Sequence, residues 1–340
     1  MGVRQRLPEL WYREPARPSL LQPLSWLYGV LLALRRRAYA SGWLATERAA
    51  RPVVVVGNLT VGGTGKTPLA VWLARELSAR GLTVGILSRG YGRRGGEPRE
   101  VLAASDWREV GDEPLLLARR SACPTLVAAD RVAGARALAA RGVDVIVADD
   151  GLQHLRLGRD CSILVIDGAR GFGNARLLPA GPLREPLAAL AAADLVVVNG
   201  EPTHPSLARL PRGELLAMHL LADQARRLDG GAEPRTLASF SGARVHAVAG
   251  IGNPQRFFQQ LRAQGIEVLE HPFPDHHAFS AAELDFGDRL PVLMTEKDAV
   301  KCTQFADARL WYVPVAAHFS PADARTLTEG VLARLRVRSP

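Results

Sequence analysis

The chain has 340 residues, 47% of them hydrophobic and 23% charged, which is the balance of a globular protein long enough to bury a sizeable core and to split into two domains. Its formal charge of +9 favours an acidic partner such as a phosphorylated substrate, an anionic lipid or nucleic acid, and alone does not choose among them. The three cysteines, Cys123, Cys161 and Cys302, form no CxxC pair, which argues against a disulfide framework or a zinc site and fits a reducing cytosol.

Residues 1–50 differ from the rest. The stretch Leu24 to Leu34 is apolar nearly all round and runs into Arg35, Arg36 and Arg37. Eleven helical residues span roughly 16 Å, about half of a ~30 Å hydrocarbon layer, so this segment is too short to cross a bilayer. Two readings remain: a core helix packed on the next domain, or an interfacial helix whose leucines and Trp26 enter the acyl boundary beside lipid headgroups. From residue 51, short apolar runs alternate with helical stretches. Val53–Val56, Thr83–Leu87, Thr125–Val127, Val143–Ala148, Ser162–Ile166 and Leu195–Val198 read as buried strands of a parallel sheet with helices on both faces, an α/β core over 51–205. Periodicity fades over 206–238, which reads as a linker, and residues 239–335 read as a smaller α/β domain.

The loop after the first strand, GNLTVGGTGKTP, fits G-x-x-x-x-G-K-[ST] at Gly65, Lys66 and Thr67, with Thr60 where the first glycine belongs. Gly62, Gly63, Thr64 and Gly65 supply backbone N–H groups for phosphates, Lys66 reaches the β and γ phosphates, and Thr67 offers its hydroxyl to Mg²⁺. Dimeric switch ATPases carry a lysine at the position of Val61, so that class does not fit. Asp149 and Asp150 end a hydrophobic strand, where a Mg²⁺-holding carboxylate belongs, and Gln153 and His154 follow. Asp112 and Glu113 precede Pro114 at a helix start, as caps or as a general base. Asp275, His276 and His277 lie between aromatic residues, a composition suited to proton transfer more than to metal binding. Glu296 and Asp298 flank Lys297 at another strand end. Only Lys66, Lys297 and Lys301 of the 43 basic residues are lysine, which marks Lys297 as a second position where a compact ammonium is used.

As an ordered set, VVVVGNLTVGGTGKTP, LSRGYGR, VGDEP, AADR, VADDGLQH, LLPAGPLREP, AGIGNPQRFF, FPDHHAF and MTEKDAVK resemble the tetraacyldisaccharide 4′-kinases of lipid A biosynthesis. The resemblance implies a P-loop kinase that moves the γ-phosphate of ATP, with Mg²⁺, to the 4′-hydroxyl of an acylated glucosamine disaccharide 1-phosphate. It also implies work at the cytoplasmic face of the bacterial inner membrane, and so turns the amino-terminal helix into a peripheral anchor on an anionic surface. It makes Asp112 the catalytic base, with a histidine partner in DHH, His276 favoured over His277. Asp149 or Asp150 assists the metal. Arg89, Tyr91, Glu113, Arg131, Gln153, His154, Arg184, Glu296 and Asp298 become supporting contacts to nucleotide or disaccharide. The alternative, a P-loop GTPase or metallochaperone, asks for N/T-K-x-D, and TEKD has its lysine and aspartate adjacent. A nucleic-acid partner is not expected, since the basic residues form no aromatic-interleaved stripe, and no obligate protein partner is evident.

Overall fold

Helix α1 (Gln22–Ala40) outruns the eleven apolar residues, because Pro23 sits in its first turn, where no intrahelical N–H is needed, and good helix formers continue past the arginines. The computed structural model describes residues 11–12, 19–90, 97–208, 210, 215–305 and 307–336. One narrow stripe of α1 rests on the core. Leu32 is buried, Ser25 Oγ donates to the Leu177 carbonyl at 2.8 Å, Tyr28 donates its hydroxyl to the Arg184 carbonyl at 2.9 Å, and Arg36 pairs with Glu185 at 2.6 Å. Leu24, Trp26, Leu27, Val30, Leu31 and Leu34 face outward, each more than half exposed. Among the described residues no helix is long and apolar enough to cross a membrane.

Strand β1 (Val53–Gly57) serves two cores at once. Val54 and Val56 pack with Leu69, Leu73 and Leu77 of α2 (Lys66–Ala79), while Val53 and Val55 pack with Val132, Ala135 and Leu138 on the opposite face. Burial on both faces is why the strand is an unbroken apolar run. The chain continues through β2 (Val84–Ser88), β3 (Arg99–Glu100), a one-turn α3 (Trp107–Val110), α4 (Asp112–Ser121), β4 (Thr125–Val127), α5 (Arg131–Ala140), β5 (Val145–Asp149), β6 (Cys161–Asp167), β7 (Leu195–Asn199) and β8 (Leu215–Leu221). A second block holds β9 (Gln224–Arg227), β10 (Arg235–Thr236), β11 (Arg244–Ala249), α6 (Pro254–Ala263), β12 (Glu267–Pro272), β13 (Val292–Thr295), a short α7 (Glu296–Ala299) and β14 (Leu310–Val313). The chain then ends with β15 (Ala316–Phe319) and α8 (Pro321–Arg336).

The large sheet has the order β15-β8-β7-β6-β1-β5-β2-β4-β3, parallel except for its two edge strands β3 and β15. The small sheet has the order β10-β9-β14-β13-β11-β12, with β11 to β14 mutually parallel where they pair. This is the expected α/β P-loop architecture with a second α/β unit.

The expected boundaries are corrected at two places. The supposed linker 206–238 carries β8, which extends the large sheet, and β9 with β10, which extend the small one. Residues from Ala316 onward, expected in the small domain, return to the large sheet as β15 and α8. The signal was weak for physical reasons. Strand β8 buries Leu216 and Met218 but turns Ala217, His219 and Leu221 outward, so polarity does not alternate with exposure. Only Pro314 and Val315 separate β14 from β15, and proline, having no N–H for a ladder, marks where the chain leaves one sheet for the other.

Because α8 lays Leu327, Val331 and Leu335 on the same core as α2, this helix belongs to the P-loop half. Leu327→Ala should lower stability by about 2–5 kcal/mol, read as a fall in the urea midpoint, with ATP raising the midpoint of both proteins equally.

Candidate active site

Gly65 caps α2 with φ of 99°, a left-handed conformation that a side chain rarely adopts, and a Cβ there would stand 2.9 Å from Asn199 Nδ2. The loop Asn58–Gly65 is braced from within. Asn58 Nδ2 donates to the Thr60 carbonyl at 2.7 Å, and Asn199 Nδ2 donates to the Thr64 carbonyl at 3.0 Å. Lys66 Nζ donates to Asn58 Oδ1 at 3.0 Å and stands 3.8 Å from Asp150. A strand end, a glycine-rich turn and a helix N-terminus thus converge on a cradle for phosphate oxygens.

Asp149 ends β5 beside Val56 of β1 and is buried. Burial pushes its carboxyl up to about 7, assisted by Glu113 and opposed by Lys66. Its neighbour Asp150 has φ of 51° and swings the other way. Both Asp150 oxygens accept from the Arg184 fork, at 2.9 and 2.8 Å. Burial raises the Asp150 carboxyl, yet Lys66 and Arg184 outweigh burial and hold it well below the usual range. Among the described residues, Asp149 Oδ1 and Thr64 Oγ1 are buried oxygens without hydrogen-bond partners. Such hard oxygens beside a phosphate cradle fit Mg²⁺, which takes one or two carboxylates together with phosphate oxygens and waters.

Across the cleft, Asp112 opens α4 and His276 follows β12. His276 Nδ1 lies 2.9 Å from Asp112 Oδ2 and 3.1 Å from Oδ1. The pair joins the two sheets. Burial raises the Asp112 carboxyl, but the His276 hydrogen bond and the Lys297 and Lys301 charges prevail and lower it. The hydrogen bond to Asp112 raises the imidazole against burial and Lys297. His276 has φ of 61°, a left-handed non-glycine residue that costs of order 1–3 kcal/mol and is held by its partners. One cleft of about 520 Å³ is lined by Lys66, Thr67, Asp112, Asp149, Asp150 and His276 together.

A family model described as Tetraacyldisaccharide-1-P 4′-kinase matches residues 17–336. The chain belongs to that family. It is 53% identical over 336 residues to the tetraacyldisaccharide 4′-kinase of Alkalilimnicola ehrlichii, with 97% of each chain covered. It is 50% identical over 307 residues to that of Nitrosococcus oceani, covering 90% of this chain and 88% of the relative. The structure of LpxK from Aquifex aeolicus in complex with ATP superposes with a TM-score of 0.77 at 30% identity, over 93% of this chain and 98% of that one. The GTPase or metallochaperone alternative is thereby disfavoured.

The residues that the 4′-kinase resemblance nominated divide by position. Arg89, Glu113, Arg131, Arg184 and Glu296 line the cleft. Arg131 is buried and donates to the carbonyls of Leu87 and Asp149, at 2.9 and 3.0 Å, so it ties together the ends of β2 and β5. Glu296 is gripped by Arg120 Nη1 at 3.0 Å to each oxygen. Gln153 and His154 lie outside the cleft lining, near α1, where Arg35 donates to the Gln153 carbonyl at 3.1 Å. Burial and the nearby Arg131 and Arg89 push the His154 imidazole down to about 4. Tyr91 lies outside the described residues.

Two more nominated residues, His277 and Asp298, lie outside the cleft lining. His277 turns to Glu283, 3.0 Å away, and packs against Phe273 and Phe279. Asp298 is wholly buried and accepts from Gly250 N at 2.8 Å, Thr295 Oγ1 at 2.6 Å and Lys301 Nζ at 2.8 Å. A carboxylate with three donors and no exposure is a brace, not a ligand contact. Asn58, Asn199 and Arg256 were not nominated, although Arg256 reaches from α6 to within 3.3 Å of Asp167 and Asn199. Nothing in their spacing set them apart.

Asp298→Ala strands a buried ammonium and should cost about 3–5 kcal/mol of stability. Thermal or urea unfolding reads the loss, and an unchanged KM for ATP in the residual folded protein distinguishes a brace from a nucleotide contact.

Proposed function

We infer that this chain transfers the γ-phosphoryl group of ATP to the 4′-hydroxyl of a tetraacylated glucosamine disaccharide 1-phosphate. The observation that carries the inference is the Asp112–His276 pair facing the phosphate loop across one cleft. The loop N–H groups and Lys66 hold the β and γ phosphates. Val71, Trp72, Leu220, Phe257, Val315 and Ala317 give the cleft lining apolar surface suited to a purine base. Asp112 accepts the hydroxyl proton as the sugar oxygen bonds to the γ-phosphorus and the bond to the departing ADP oxygen breaks. His276 holds that carboxylate in line. Thr67 and Asp149 are the groups assigned to Mg²⁺, because both Asp150 oxygens are already taken by Arg184. When bound, the ion neutralises charge on the β and γ phosphate oxygens.

The outward face of α1 suggests where the substrate is met. Six large apolar side chains lie exposed beside Arg35 and Arg37, the pattern of a helix lying in an anionic interface. The proposed location is the cytoplasmic face of the bacterial inner membrane, as a peripheral protein.

Purified protein with γ-labelled ATP, Mg²⁺ and tetraacyldisaccharide 1-phosphate should yield labelled lipid. GTP hydrolysis without any labelled lipid would overturn the kinase reading. Asp112→Asn and His276→Gln should each lower kcat by roughly 10²–10⁴, whereas His277→Gln stays within about threefold because its partner is Glu283. Leu27→Asp with Leu31→Asp should release the protein from anionic vesicles in sedimentation while sparing ATP binding. Unchanged sedimentation would sink the interfacial role of α1.

A further inference from the structure

The three lysines of this arginine-rich chain gather at one place. Lys66 is in the phosphate loop, Lys301 Nζ lies 4.0 Å from Asp112 Oδ2, and Lys297 Nζ lies 3.5 Å from His276 Nε2. Lys297 is more than a neighbour of the pair. Its ammonium donates to Glu113 Oε1 at 2.9 Å, on the large-sheet side, and to Asp275 Oδ1 at 3.1 Å, on the small-sheet side. The carboxylates of Glu113, Asp112 and Asp275 outweigh burial and raise the affinity of Lys297 for its proton, so it stays charged.

An ammonium has three N–H donors and no lone pair. Two donors are taken by carboxylates, and the third side of the tripod meets His276 Nε2. A ring nitrogen facing such a cation presents its own lone pair. The proton of the neutral ring is then on Nδ1, the nitrogen 2.9 Å from Asp112 Oδ2. The Asp275 carboxylate does not compete for Nε2, since its nearer oxygen is 3.9 Å away. A guanidinium would keep the charge but not this geometry, because its planar fork engages one carboxylate with two parallel bonds and does not offer three divergent donors.

We propose that Lys297 is a positioning residue for phosphoryl transfer: spanning Glu113 and Asp275, it fixes His276 as the neutral Nδ1–H tautomer and keeps that proton aimed at Asp112. The proposal rests on the reading of Asp112 as the base that takes the hydroxyl proton. Without the Lys297 ammonium, His276 faces the carboxylates of Asp112 and Asp275, and among the described residues the cation left beside the pair is buried Lys301, itself tied to Asp298. Every one of those carboxylates favours the imidazolium. Protonation at Nε2 then removes the neutral ring from the working population at neutral pH.

The test combines a spectrum with a pH profile. Nitrogen-15 spectra of histidine-labelled wild-type protein at pH 8, assigned by the signal that His276→Gln removes, should give His276 as the Nδ1–H tautomer. An Nε2–H tautomer or an imidazolium overturns the proposal. In Lys297→Met the acidic limb of kcat/KM for the lipid should move up by about one pH unit. The loss at pH 7 should be roughly tenfold and should largely disappear at pH 9, with KM for ATP within about threefold of wild type. Lys297→Arg, which keeps the charge, should return the limb most of the way. An unmoved limb, or a loss equal at every pH, overturns the proposal. If Lys297→Met does not fold, the wild-type spectrum and the Lys297→Arg profile still decide. Failure of the kinase reading is separate: it is wild-type protein that labels no lipid, or Asp112→Asn that labels it normally.

Discussion

The contact between Asp112 and His276 is the constraint on which the rest of the molecule depends. A carboxylate at the start of α4 and an imidazole after β12 belong to different sheets, so the pair exists only while those sheets stay in register. The fold meets this demand at several points. Lys301 and Asp298, both fully buried, set the floor below Asp112. Arg120 of α4 grips Glu296 of α7, and Lys297 ties Glu113 to Asp275. The left-handed backbone at His276 costs conformational energy that these contacts offset.

The other half of the cleft follows a different electrostatic rule. Around the phosphate loop, Asp149 and Asp150 are adjacent in sequence and opposite in behaviour. Burial makes Asp149 reluctant to ionise, whereas the Arg184 fork and Lys66 keep Asp150 charged. Separate environments for neighbouring acids let one complete an internal ion pair while the other keeps an oxygen open. The dyad side shows the same economy, with His276 on Asp112 and His277 on Glu283.

The P-loop and the parallel sheet were legible because their physics is local. Two-sided burial makes an apolar strand, and phosphate cradling demands glycines and a lysine at fixed spacing. The ambiguous pairs were not. In both Asp149–Asp150 and His276–His277 one residue adopts a positive φ, which sends neighbouring side chains to different partners. Nothing in the identity of an aspartate or histidine announces the sign of φ. The domain boundaries were hidden for a topological reason, since β8 and β15 join the large sheet from sequence on either side of the second unit. Lys297 was visible only as a rarity, a lysine where arginine is the habit of the chain.

The hydrogen bond from Tyr28 to the Arg184 carbonyl gives α1 a further meaning. Arg184 also holds Asp150 and Asn58, and Asn58 holds Lys66, so few bonds separate the outward apolar stripe from the phosphate lysine. A tether of loose chain would let the catalytic centre wander over a range of heights above any surface on which the helix lies. A helix hydrogen-bonded into the machinery works as a gauge. On the proposed interfacial placement of α1, it would present the phosphate cradle at one altitude, so that a hydroxyl would be selected by how far it stands above the layer that holds the rest of its molecule, before any side chain reads its shape.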